Sequence, residues 1–217
     1  MTFYIMQKEG VRDISSELLL PNGKLALVPA EYYKQYSWEE FRLFCHDYAR
    51  YGIPTIELVE FIKNIIGNRN AIEIGAGHGD LGFHLGIPMT DSKLQDEPLV
   101  KSFYLMGGQP VIKYPKDVIK AEALMAVKKF KPKVVVGSWV TRWQHPDCFP
   151  AGQGSPFGIK ERKLLSLVDT YIMIGNLDIH GDKPIIKIPH ELIQKEWIVS
   201  RAKDPSKNVI MIWNRKK

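Results

Sequence analysis

Cysteine is scarce: the 217 residues hold only Cys45 and Cys148, far apart and outside any C-x-x-C or Cys/His cluster. That excludes a disulfide-stapled scaffold and a structural zinc site, and no metal centre is expected. Long apolar runs are missing too. None approaches the roughly 20 residues that a bilayer-crossing helix needs, and Lys8 and Glu9 already interrupt the first segment. A reducing, cytoplasmic compartment and no membrane partner are the resulting expectations. Neither an internal repeat nor a low-complexity segment is present. Charge of one sign is only mildly in excess, with Lys+Arg 30 against Asp+Glu 24 and a net +6. Such a balance is common among proteins that touch no nucleic acid. What is there is 45% apolar, 25% charged and 11% aromatic residues. This is the composition of a globular protein, at a length that suits one α/β domain with additions.

The patterning divides the chain into an N-terminal extension, 1–54, and a main body, 55–217. Turn formers such as Pro21-Asn22-Gly23 place a strand or two and loops in the first 36 residues. Ser37-Trp38-Glu39-Glu40 matches a capping box and predicts a helix from Trp38 to about Tyr51, stopped by Gly52 and Pro54. Thr55 caps a second helix, whose Leu58, Phe61, Ile62 and Ile65 share one face. From Ala71 onward the chain alternates. Strands are expected at Ala71 to Ile74, near Pro110 to Ile112, at Val134 to Val136 and at Thr170 to Ile174. Helices are expected over Asp117 to Phe130 and over 159–168, with a long loop from Thr141 to Gly158. Fully apolar strands separated by helices imply a mostly parallel sheet covered on both faces. Two closing strands, Glu196 to Ser200 and Val209 to Trp213, are expected to form an antiparallel pair.

In such sheets ligands sit beyond the carboxyl ends of the strands, and the first strand-to-helix turn is the usual cradle. Glu73-Ile74-Gly75-Ala76-Gly77-His78-Gly79 occupies that place. Its glycines let the backbone turn tightly and approach a ligand with no Cβ in the way. A dinucleotide reading through Gly77, Gly79 and Gly82 would make the chain an NAD(P)-dependent oxidoreductase. It is opposed by Glu73, which repels a pyrophosphate and suits a cofactor bearing an amino group and a sulfonium.

The E-x-G-x-G-x-G turn resembles motif I of the class I S-adenosylmethionine-dependent methyltransferases. The resemblance covers roughly residues 55 to 217 and implies a Rossmann-like, seven-stranded sheet with helices on both faces. Its last strand would be antiparallel and inserted beside the fifth, and the N-terminal helical extension would cover the site. It implies S-adenosylmethionine (SAM) as the cofactor, held by Glu73, Gly75, Ala76, Gly77, His78 and Gly79. Asp91 would hold the ribose, Asp117-Val118 after the third strand would border the adenine, and Ser138 would sit at the methyl end. The N-P-P-Y or D-P-P-Y of amino methyltransferases is absent, with Gly137-Ser138-Trp139 in its place.

Methyl transfer from a sulfonium needs alignment, exclusion of water and sometimes a base. On this reading Trp139, Thr141, Arg142, Trp143, Asn176 and Asp178 line the substrate pocket, and His180 or His145 is the candidate catalytic base. Each also has an ordinary reading: a loop histidine, a solvated arginine, or a tryptophan covering the sheet end. The function expected is methyl transfer to a small polar molecule. The alternatives are a SAM-binding module without transfer activity and a methyltransferase acting on nucleic acid. The lysines of 128–133 and the basic tail raise the possibility of nucleic acid, but the first cluster lies at a helix C-terminus on the sheet end opposite the expected site, which disfavours it.

Overall fold

The computed structural model describes residues 9–145 and 155–215. Its frame follows from the apolar strands. β1 (Gly52–Ile53), β2 (Ala71–Ile74), β3 (Met89–Asp91), β4 (Val118–Lys120), β5 (Val134–Ser138), β6 (Thr170–Asn176), β7 (Glu191–Ile193), β8 (Val199–Ser200) and β9 (Asn208–Asn214) occur in that chain order. Seven of them form one sheet in the order β4-β3-β2-β5-β6-β9-β7. β2 to β6 run parallel; β9 is antiparallel to both β6 and β7.

Side-chain alternation in the central strands feeds two cores. On one face Ile72, Ile74, Val135, Tyr171, Met173, Val209, Met211 and Trp213 pack under α6 (Ala123–Phe130) and α7 (Glu161–Leu165). On the other, Val134, Val136, Ile172, Ile174, Ile210 and Ile212 pack under α3 (Ile56–Ile66) and α4 (Asp80–Leu85). Each such Val or Ile removed from water stabilises the fold by roughly 1.5 to 3 kcal/mol before entropy is charged against it, so the sheet is the dominant element.

A third core belongs to the extension. α1 (Ser15–Leu18) and α2 (Trp38–Asp47) bring Ile14, Leu18, Leu25, Phe44 and Cys45 together with Ile53. The capping box at Ser37 and Glu40 is formed as its sequence requires, and Thr55 Oγ1 accepts from the Leu58 N–H at 3.2 Å to start α3. No described strand pair forms in the first 36 residues beyond the isolated bridge Leu19 to Leu25 and one from Val28 to Thr55.

Three expectations need correction. The strand expected near Pro110 to Ile112 lies at Val118–Lys120 instead, and the helix expected from Asp117 starts only at Ala123. The Glu122 carboxylate caps it by accepting from the Leu124 and Met125 N–H groups. The residues between β3 and β4 form α5 (Pro98–Met106), which buries no residue; Leu99 and Met106 are 87% and 89% exposed. The closing pair is also different. β8 leaves the sheet to pair with β1, tying the extension to the C-terminal part, and the partner of β9 is β7. Among the described residues no helix is long and apolar enough to cross a membrane.

Candidate cofactor and acceptor site

β2 is an inner strand between β3 and β5, where the chain order of the sheet reverses, and its carboxyl end runs straight into the glycine turn. Gly75, Gly77 and Gly79 have φ of 58°, 57° and 69°, a region that costs any residue with a Cβ. Space is short as well. A Cβ on Gly75 would stand 2.8 Å from Val140 Cγ1, and one on Gly77 would stand 3.3 Å from Ile112 Cδ1. The turn is fixed to β3: the Ala76 N–H donates to the Thr90 carbonyl at 3.0 Å, and the Gly77 N–H to Asp91 Oδ2 at 2.9 Å. Asp91 Oδ1 accepts the Lys93 N–H at 2.7 Å. Burial raises the Asp91 pKa, and these two N–H groups oppose the rise. Asp91 therefore stands beside the glycine turn at the end of the second sheet strand.

Glu73 is in a different situation from the one its sequence suggests. It is 2% exposed, and Oε2 accepts the Gly82 N–H at 2.9 Å within the first turn of α4. Burial pushes its pKa up to about 8, so near neutral pH it is largely protonated. In this geometry the Glu73 carboxyl anchors α4 beneath the turn. Asp117 and Val118 also move. They open β4 instead of following it, and Asp117 accepts a 3.0 Å ion pair from Lys24.

The extension reaches the turn through residues that its sequence does not advertise. Lys24, 2% exposed, donates to the His78 carbonyl at 2.7 Å. Buried Arg50 pairs with Asp80, whose other oxygen accepts the Leu25 N–H at 2.9 Å. The His78 ring carries a pKa lowered to about 3, chiefly by burial and then by the nearby Arg50 and Lys24 cations. Its Nε2 is buried without a partner among the described residues.

β5 supplies the next wall. Gly137 and Ser138 end it, and Trp139 turns the chain in a left-handed conformation, φ 56°, donating its N–H to the Ile174 carbonyl at 2.9 Å. Lys183 Nζ holds the Val140 carbonyl at 2.7 Å and Glu161 Oε1 at 2.9 Å, both contacts buried. The Tyr171 hydroxyl donates to the same Glu161 oxygen at 2.9 Å, so a buried ion pair underpins the turn that presents Trp139.

The pocket residues expected from sequence separate into two groups. Ser138 and Trp139 sit together at the strand ends. His180 joins them with its ring edge-on to Trp139 at 5.3 Å, but it is 3% exposed. Its Nδ1 accepts the Asn176 N–H at 3.0 Å, and burial lowers its pKa to about 4. That imidazole is weakly basic, and its Nδ1 lone pair is already engaged. Asn176 is buried and occupied: its amide donates to Asn208 Oδ1 at 3.0 Å and its Oδ1 accepts the Asp178 N–H at 3.0 Å. Asp178 pairs with Lys207 at 2.7 Å at the surface. Thr141 meets Ile159 through backbone bonding, and Arg142 is neutralised by Asp182 at 2.9 Å. Trp143 carries Lys160 over its ring at 4.5 Å and His145 edge-on at 5.9 Å. Part of the expected 141–158 loop lies outside the described residues, as does Cys148.

Sequence reasoning missed Lys24, Arg50, Tyr51, Tyr104 and Arg201, which converge on this end of the sheet from distant segments. No spacing could have found them, because their partners are contributed by the fold. Two open surface hollows of about 360 and 330 Å³ lie elsewhere, at the opposite end of the strands near Lys131 and Pro88. Among the described residues no cluster of His, Cys, Asp and Glu could hold a metal ion.

No protein family and no curated protein sequence matches the chain. Among solved structures, a co-crystal of WbdD with a kinase inhibitor is similar at TM-score 0.42 and 10% identity, over 73% of this chain and 40% of that one. Precorrin 8w decarboxylase of Methanobacterium thermoautotrophicum is similar at 0.39 and 11%, over 77% and 94%. Precorrin-6y C5,15-methyltransferase of Geobacter metallireducens is similar at 0.37 and 12%, over 75% and 90%. The order of the sheet itself is more telling than these distant likenesses. Numbered within the sheet it reads 3-2-1-4-5-7-6, with the seventh strand alone antiparallel to the fifth and sixth. The chain has a Rossmann-like α/β fold with one mostly parallel, seven-stranded sheet.

Proposed function

We propose that the protein is a SAM-dependent methyltransferase acting on a small polar molecule. The observation that carries this reading is the turn Gly75 to Gly79 at the carboxyl end of β2, its three glycines at positive φ, with Asp91 bonded to Gly77 beside it. Gly75, Ala76, Gly77, His78 and Gly79 would pass beneath the cofactor, and Asp91 would face its ribose, since each carboxylate oxygen retains a lone pair after its backbone bond. Glu73 would act through α4. The bound sulfonium would supply an already activated methyl group. The chain's own work is then to hold the receiving molecule against Ser138 and Trp139, to exclude water with α5 and the extension, and to keep the turn rigid.

A second reading, SAM binding without transfer, draws support from His180, whose Nδ1 is already engaged and whose pKa is low. Titration calorimetry with S-adenosylhomocysteine tests the shared premise. Saturable binding weakened at least tenfold by Gly77→Val is expected; binding of NAD with none of S-adenosylhomocysteine would overturn both readings. Transfer of labelled methyl from SAM to a metabolite mixture separates the two.

A further inference from the structure

Arg201 forms no ion pair among the described residues, although it stands at the edge of the site. Its guanidinium lies flat over the Tyr51 ring, 3.7 Å from the centroid, and its backbone N–H donates to the Tyr51 carbonyl at 3.0 Å. Tyr51 in turn is 6.1 Å from the Trp139 ring. Tyr104 of α5 lies within electrostatic reach of both Tyr51 and Arg201. Arg142, the cation that sequence places here, is spent on Asp182, which leaves Arg201 as the arginine able to receive an outside charge.

A second, independent feature lies next to it. Trp139 Nε1 is buried and has no hydrogen-bond partner among the described residues. A buried donor left unpaired forfeits its hydration with nothing in return, so such a group calls for an oxygen from elsewhere. Gly52, with no side chain of its own, packs closely against both that indole nitrogen and the Ser138 hydroxyl. A Cβ there would stand 3.2 Å from Trp139 Nε1 and 2.8 Å from Ser138 Oγ, and Gly52 is paired directly with Ser200, the neighbour of Arg201. The guanidinium, the indole N–H and the hydroxyl are all hydrogen-bond donors. A planar guanidinium fork fixed on an aromatic ring matches the oxygens of a carboxylate or a phosphate.

We propose that Arg201, Trp139 Nε1–H and Ser138 Oγ form an oxyanion-binding subsite, so that the molecule received at this end of the sheet carries a carboxylate or a phosphate group. Calling that molecule the methyl acceptor rests on the function proposed above; the subsite itself does not.

The test uses the whole protein labelled with ¹⁵N, in the absence of cofactor. The indole N–H signal of Trp139, assigned through Trp139→Phe, is followed while benzoate or inorganic phosphate is added at constant ionic strength. A saturable shift is expected, with the binding constant at least tenfold weaker in Arg201→Met. A response to benzoate assigns a carboxylate ligand, and a response to phosphate assigns a phosphoryl ligand. Should Arg201→Met melt early, Arg201→Lys carries the same expectation of weaker binding, because it keeps the charge and loses the fork. No saturable shift with either anion, or an equal shift in the Arg201 variant that folds, would overturn the proposal. Adding S-adenosylhomocysteine to the same samples keeps the two ideas apart: anion binding without nucleoside binding leaves the subsite standing and removes the methyltransferase reading.

Discussion

Gly77 and Asp91 are joined by a 2.9 Å bond from backbone N–H to carboxylate, which makes the glycine turn and the end of β3 a single unit. Asp91→Ala leaves the Gly77 and Lys93 N–H groups without acceptors in a buried place, a loss of about 1 to 3 kcal/mol each in the worst case. Urea unfolding should show that loss, and calorimetry should show S-adenosylhomocysteine affinity reduced at least tenfold. Asp91→Asn keeps one acceptor oxygen and should lose less stability.

Glu73 gives the protein a pH-dependent weakness. Its folded pKa, about 8, lies above the ordinary carboxylate value, so the folded state holds a proton that the unfolded chain releases earlier. Stability is full below the ordinary carboxylate range and declines as pH rises through about 8, by about 1.4 kcal/mol per unit of pKa difference at most. Glu73→Gln, which can still accept from Gly82, should flatten this decline and raise the thermal midpoint at pH 8.

His78 and His180 act in the opposite direction. Burial lowers them to about 3 and about 4, so the unfolded chain binds protons that the folded one refuses. Their contribution is present above the ordinary histidine range and is lost as pH falls toward 4. Thermal melts of His180→Asn, read between pH 7 and pH 4.5, should show a shallower acid loss than the unsubstituted protein.

Removing Lys183 leaves the buried Glu161 carboxyl without its cation beneath the Trp139 turn. Lys183→Met should cost about 3 to 5 kcal/mol in denaturant unfolding, as expected when one partner of a buried pair is deleted. Adding Glu161→Gln should return most of it, and a double-mutant cycle measures the coupling. Tyr171→Phe, which removes one hydrogen bond to the same carboxylate, should cost about 1 kcal/mol.

At Gly52, an added methyl meets Ser138 Oγ at 2.8 Å and Trp139 Cδ1 at 3.0 Å. Gly52→Ala should destabilise by about 1 to 3 kcal/mol through overpacking. S-adenosylhomocysteine affinity should hold within about twofold, because the cofactor turn is on β2, whereas any methyl transfer should fall steeply.

The sequence by itself determined the α/β alternation, the two capped helices and the glycine turn, because each rests on contacts between residues within a few positions of one another. Ser37 with Glu40, Thr55 with Leu58, and the apolar run Val134 to Val136 are all of this kind. It misplaced the third strand because Pro110 to Ile112 and Val118 to Lys120 are equally short apolar segments, and only pairing with β3 decides between them. It missed that Glu196 to Ser200 leaves the sheet for β1, a choice made by a partner nearly 150 residues away. Tertiary structure alone decided the charge states and the site. Glu73 and His180 read as a charged selector and a base, and burial shifts the pKa of each toward its neutral form. Arg201, silent in the sequence, gains its place through a strand pairing with the extension that sets it on Tyr51 beside Trp139. Desolvation and unpaired donors arise from what surrounds a group, and that surrounding is assembled only when distant segments meet.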